Sequence, residues 1–181
     1  MKPSLQQTLD QKRAAEAWKC VARCLDDAKA ALREQIQQLE RELAQARDDE
    51  KRRDRIQKHK QEIEKKLASL NKEKEAESWR KKYGSLARKV PMLIQTNGLG
   101  QTLAFLRAKG KDDPADAHNV LFGHLSRWTM SQVAPNAGSQ NLLEWVLQTD
   151  SNNYRRATAE ALAYLTWLKR FAEAELPTEE G

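Results

Sequence analysis

Apolar side chains recur at helical intervals along almost the whole chain. The first series, Leu9, Ala14, Ala17, Trp18, Val21 and Leu25, alternates with Lys12, Arg13, Lys19 and Arg23, which predicts an amphipathic bundle helix. It does not stop at Leu25, because Leu32, Ile36, Leu39, Leu43 and Ala46 continue at spacings of 4, 3, 4 and 3, the seam of a coiled coil. A second series, Ile56, Ile63, Leu67 and Leu70, is out of phase with the first. Folding the chain back on itself aligns the two: Ala46 meets Ile56, Leu39 meets Ile63, Ile36 meets Leu67 and Leu32 meets Leu70. The mirror relation centres the turn near Lys51. Since RDDEKRRD holds neither Gly nor Pro, a continuous helix stays open as the alternative. Each arm of about 22 residues would reach roughly 33 Å.

Beyond the arms, Trp79, Tyr83, Leu86 and Val90 mark one face of a further helix. Pro91 favours a helix start or kink, and Asn97-Gly98 a break or C-cap. Leu99, Leu103, Phe105 and Leu106 resume the apolar pattern. Asp112-Asp113-Pro114 reads as a helix start, leading to Leu121, Leu125 and Trp128 with His118 at the edge of the same face. APNAGS is a loop, and Ser139 is placed as the cap of a short helix holding Leu142, Leu143, Trp145, Val146 and Leu147. From Ser151 to about Leu176 the apolar side chains cover most of the helical circumference, which requires packing on two sides. The remaining arc carries Arg156, Ala159, Ala163 and Arg170, and the tail PTEEG is expected to fray.

Composition sharpens this picture. Of 181 residues, 32% are charged and 39% hydrophobic, with only seven Gly and five Pro, a mix suited to long surface-rich helices. The expected fold is all-α: one helical bundle from residues 1–25 and 79–181, with residues 26–78 inserted as a long antiparallel coiled-coil hairpin. No run is long and apolar enough to span a membrane, and the first residues lack the apolar core of a signal peptide, so a cytoplasmic protein without membrane contact is expected. Cys20 and Cys24, one turn apart, read as small core residues. His59, His118 and His124 are too scattered to complete a zinc site with them, and no metal or other cofactor is expected.

The net charge of +6 points to an acidic partner, and its position along the chain decides where. Residues 26–78 hold 14 Lys plus Arg and 14 Asp plus Glu, so the hairpin is neutral and suits a protein contact better than nucleic acid. Residues 79–111 hold eight basic side chains and no acidic one. On a helical wheel Lys81, Ser85 and Arg88 point away from the Trp79, Tyr83, Leu86, Val90 stripe, with Lys82 and Lys89 flanking them. A polyanion could lie along such a ridge; the alternative is a merely solvated face. Trp18, Trp79, Trp128, Trp145 and Trp167 all lie on apolar faces and read as core. No paired carboxylates, nucleophile with base, or glycine-rich phosphate loop can be placed together, so no catalytic residue is assigned and no enzyme is expected.

Three stretches, YGSLARKVPMLIQTNGLGQTLAFLRAKG (83–110), YRRATAEALAYLTWLKRFAEAEL (154–176) and the RAAEAW run at 13–18, resemble the small helical subunit of the type III-B CRISPR effector, the Cmr RNA-guided complex. The resemblance implies an all-helical subunit without an active site, stacked in several copies along the target RNA path. Its partners would be other copies of itself, the backbone and large subunits, and the guide and target RNA. It makes Lys81, Lys82, Arg88, Lys89, Arg107, Lys109, Arg156 and Arg170 the candidate RNA-backbone residues. Residues 26–78 depart from the family, whose typical members make a short turn there. The competing reading is a protein-interaction adaptor with a coiled-coil arm and no direct nucleic-acid role.

Overall fold

The structure, a computed structural model, describes residues 8–46 and 49–178. Seven helices account for most of these residues, and no strand occurs among them: α1 (Leu9–Gln45), α2 (Glu50–Ser69), α3 (Glu73–Asn97), α4 (Leu99–Gly110), α5 (Ala117–Val133), α6 (Leu142–Gln148) and α7 (Ser151–Glu175). No helix among the described residues is long and apolar enough to cross a membrane. The polar lead and the last residues of the tail lie outside the described residues.

The bundle is organised around α7, which packs against α1, α3 and α5. Ala157, Ala161, Tyr164, Leu165, Leu168 and Ala172 are all fully buried, so the two-sided apolar face read from the sequence is met from several directions. Asp150 caps the helix by accepting from the backbone N–H groups of Asn152 and Asn153. Gly98, at φ 84°, ends α3 and opens α4, a backbone conformation that a side chain resists. Burial pushes the Cys20 and Cys24 thiols up to about 11 and about 12, as suits reduced core residues.

Several helix boundaries differ from expectation. Pro91 neither starts nor ends a helix; α3 runs through it to Asn97. Asp113 accepts the backbone N–H of Ala115 within a turn, and it is Asp116 that caps α5, accepting from His118 N. The short helix is capped by Asn141, whose reciprocal bonds with Glu144 form a capping box, instead of by Ser139. Among the tryptophans, Trp79 and Trp128 are buried, Trp145 and Trp167 are half-buried, and Trp18 is 45% exposed. Trp18 meets Phe171 edge to face, and Phe171 stacks in turn on Trp167.

The outer half of α1 packs against α2. Leu32, Leu39 and Ala46 on the first helix and Ile56, Ile63 and Leu70 on the second are buried, and Lys60 Nζ crosses to Glu40 Oε1 at 2.7 Å. The break between them falls before Lys51, which lies inside α2; Asp49 caps that helix through Arg52 N. The bundle's own packing extends into α1 beyond residue 26: Ala28 is fully buried, and Asp27 Oδ2 lies 3.0 Å from His124 Nε2 on α5. Lys66 of α2 also pairs with Asp113, joining α2 to the α4–α5 connection.

Two buried polar networks fasten the helices. Glu160 on α7 accepts from Arg13 Nε at 2.9 Å and Nη2 at 2.6 Å, and from Trp128 Nε1 at 2.8 Å. His124, 2% exposed, bridges Asp27 and the Tyr83 hydroxyl, which lies 2.7 Å from Nδ1. The hydrogen bond from His124 holds the Asp27 carboxyl below its ordinary value against partial burial. The Arg13 fork does the same for Glu160, with Trp128 assisting. A carboxylate depressed in the folded state stabilises the fold above its unfolded pKa of about 4, and that stability is lost as pH falls through the folded value. Denaturant titrations should therefore show stability falling below about pH 4, and Asp27→Asn should flatten the fall. An equal acid slope in wild type and variant would exclude Asp27 as a source of it.

Candidate nucleic-acid interface

The basic ridge of α3 has to be rebuilt from its burial. Ala76, Trp79, Tyr83, Ala87, Val90 and Ile94 form the buried stripe, while Leu86 is only half-buried. Gly84 and Ser85 are also buried, so α3 is covered on a second flank. On that flank a Cβ at Gly84 would stand 3.2 Å from both the Arg88 guanidinium and Leu176 Cβ, and Arg88 Nη1 donates to the Ala172 carbonyl at 3.3 Å. Arg88 thus ties α3 to the end of α7, and Ser85 does not point to open solvent. Lys82 and Lys89 are exposed; Lys81 is half-buried and pairs with Glu77 at 3.3 Å.

Beside this ridge lies a cleft of about 410 Å³, lined by Ser78, Lys81, Lys82, Ser85 and Leu86 of α3 and by His118 of α5. Two lysines, two hydroxyls and an imidazole converge there, a donor set suited to a phosphate oxygen. Trp79 ties α3 to the turn that precedes α5 by donating Nε1–H to the Ala115 carbonyl at 2.8 Å. Asp116 sits at the junction, with Oδ2 2.5 Å from Lys82 Nζ and Oδ1 2.7 Å from His118 Nδ1. Partial burial works against its charge, but the bonds from Lys82 and His118 prevail and hold its carboxyl below the ordinary value.

The other sequence candidates lie elsewhere. Arg107 is exposed, donates to Asn119 Oδ1 at 3.2 Å and lies over the Phe122 ring at 5.3 Å; with Lys111 and Asn119 it lines a second cleft, against α1. Lys109 projects from the same helix, exposed and without an ion pair among the described residues. On α7, Arg156 donates to Asn153 Oδ1 and Arg170 lies 5.9 Å over Trp167. Of these candidates, Lys81 and Lys82 share the α3–α5 cleft, whereas Arg107 lines a different one. The sequence reading missed Ser78 and the position of His118 in the α3–α5 cleft, and it missed Asp116, which pairs with both Lys82 and His118. Asp116 lies five residues past the acid-free span, too close to be ignored in a charge count.

Residues 55–175 match the family model for CRISPR-associated protein (Cas_Cmr5). The chain belongs to the Cmr5 family. A relative named as the CRISPR system Cmr subunit Cmr5, from Thermus thermophilus, is 36% identical over 95 residues, which cover 52% of this chain and 75% of that protein. The resemblance to the small type III-B Cmr subunit read from residues 83–110 and 154–176 is thereby borne out. The Cmr5 match starts inside α2, so it takes in most of that helix as well as the bundle from α3 to α7, and leaves α1 with its RAAEAW run outside. Among the described residues of this Cmr5-family chain, no group of three metal-ligating side chains gathers. The Asp27, His124, Tyr83 relay has the order of an acid–base chain, but Tyr83 is fully buried and its hydroxyl is engaged by the imidazole.

Proposed function

We propose that the chain is a non-catalytic structural subunit of the type III-B CRISPR antiviral effector, lining the path of the target RNA in several copies and touching its backbone without reading its bases. Family membership carries this reading, and the acid-free basic span over α3 and α4 supports the RNA contact. Lysine and arginine neutralise phosphates and release counterions whatever the base, and a guide strand that reads by pairing needs only backbone recognition from its surroundings. The neighbours are other copies of the chain and the backbone and large subunits, in the cytoplasm. The outer part of α1 with α2 forms a coiled-coil arm that lies beside an adjacent subunit, and its balanced surface charge suits a protein neighbour better than RNA.

The experiment is target binding by the assembled effector. Lys89 and Lys109 are the probes of choice, being exposed and clear of the core. Reversing both to Glu should weaken binding equally for unrelated targets, and make the salt slope shallower by roughly 0.7 per contact removed. Folding should be unaffected within about 0.5 kcal/mol. Unchanged affinity and slope at equal subunit occupancy would defeat the RNA contact and leave the adaptor reading, which the exposed Trp18 and the half-buried Phe171 and Trp167 beside it suit.

A further inference from the structure

Two side chains that line the cleft between α3 and α5, Lys82 and His118, share one anion, Asp116. Asp116 caps α5 through His118 N at 2.9 Å, yet its second oxygen is turned to Lys82, the most exposed cation of the cleft lining. The Lys82 ammonium has three N–H donors, so the bond to Asp116 leaves others for an oxygen of a phosphate entering the cleft. Around it, Ser78 and Ser85 offer hydroxyl donors, Lys81 a second ammonium, and Leu86 an apolar wall; behind His118 the Phe105 ring approaches edge-on at 6.0 Å. A cavity of about 410 Å³ lies in the size range of small-ligand sites and exceeds what an ion alone needs. The α3 side of the lining supplies the ammonium and hydroxyl donors together with the apolar Leu86. That arrangement fits a sugar-phosphate unit better than an extended peptide.

We propose that this cleft seats one phosphodiester of the RNA strand, and that Asp116 is a built-in counter-anion which shares Lys82 with the phosphate and holds the affinity of a single copy down. The inference rests on the reading of the chain as a subunit lining the RNA path, and adds to it a defined contact and a residue that opposes binding. Weak contact per copy has a physical use: a strand touched by several copies is held by their sum, while each copy can let go as the strand moves. Asp116 thus sets strength without affecting sequence preference.

The test is a gain of binding. Asp116→Asn keeps an oxygen to cap α5, so the fold should persist, while the charge facing Lys82 disappears. The full-length chain, titrated with a fluorescently labelled uridylate dodecamer at low salt, should bind about three- to fivefold more tightly in the variant, the scale of one exposed ion pair. Lys82→Gln should weaken binding by a similar factor, and the double variant should match Lys82→Gln alone, because Asp116 acts through that lysine. In parallel, the backbone amide resonances of Ser78, Lys82, Ser85 and His118 should move with the RNA. Equal tightening by Asp116→Asn with and without Lys82 would mean a general field effect and overturn the proposal. So would cleft resonances that stay still at the highest RNA concentration. If the cleft fails while Lys89 and Lys109 still govern binding by the assembled effector, the RNA path stands and only this seat is lost. A polyglutamate peptide that competes as well as the dodecamer would turn the cleft into a protein-docking site, and likewise overturn it.

Discussion

Replacing Glu160 by alanine should lower the melting temperature by roughly 5 to 15 °C, the largest effect expected of any single charged residue in this chain. Glu160 is the common acceptor of Arg13 and Trp128, linking α1, α5 and α7, and its loss leaves a guanidinium and an indole N–H without their partner inside the bundle. Breaking a fully buried ion pair costs about 3 to 5 kcal/mol. Here the Arg13 side chain keeps 18% of its exposure and the Glu160 side chain 10%, so water recovers part of the loss and about 2 to 4 kcal/mol is expected. Two further variants separate charge from packing. Glu160→Gln retains an acceptor for Trp128 and should lose less. Arg13→Met with Glu160→Leu removes both charges and should be more stable than Glu160→Ala, because no ion is left stranded. Circular-dichroism melts decide it: an alanine variant that melts within a degree of wild type would show the network to be solvated and unimportant.

The second large effect separates two ways of shortening the arm. Replacing residues 26–78 by a short turn follows the boundary read from the sequence, and should leave a chain close to unfolded at 37 °C. That cut removes Asp27, leaving His124 Nε2 without its partner, and takes away buried Ala28, Leu32, Leu70 and Ala76. An orphaned buried donor costs about 1 to 3 kcal/mol and a lost leucine about 2 to 5. Together they approach the whole stability of an ordinary domain, about 5 to 15 kcal/mol. Removing only residues 37–62 keeps all of these groups and the Lys66 contact to Asp113, and should leave cooperative unfolding intact. Should the longer deletion melt cooperatively near the wild-type temperature, the root of the arm would be dispensable to the bundle, and the boundary at residue 26 would be the right one.

The difference between those cuts shows what periodicity can and cannot reveal. A 3.6-residue period identifies which face of α1 is buried and is blind to what buries it. The series from Leu9 to Ala46 therefore reads alike where α1 packs on α7 and where it packs on α2. The all-helical class, the break at Gly98 and the two-sided packing of α7 are local or compositional properties, and were legible. So was the family, through residues 83–110 and 154–176. Boundaries failed where two capping signals competed. Asp113-Pro114 and Asp116 both resemble helix starts, and the choice between them is made by the turn that Asp113 closes on Ala115. The outward phase read for Arg88 failed for a different reason. Arg88 has the helical phase of a solvent-facing residue, but α7 ends beside it, and only the tertiary fold brings the Ala172 carbonyl within reach. Trp18 erred in the opposite sense, lying on an apolar face that the described chain only partly covers. Glu160 carried a weak signal that could have been used: a carboxylate between Ala157, Ala161 and Tyr164 on a core face requires a buried partner.

Helix α1 has one mechanical property of its own. Its 37 residues contain neither Gly nor Pro, so a single rod of about 55 Å passes from the middle of the bundle to its far end without a joint. Such a rod would act as a lever, clasped to α5 at Asp27 and Ala28 and held again near Gln35, where Lys66 of α2 pairs with Asp113. Beyond that second hold about 15 Å remain, so a tilt of about 10° sweeps the end through about 3 Å. Displacement imposed at the far end would arrive in the bundle as torque on the His124 bridge, and a small rotation of the bundle would arrive at the far end magnified.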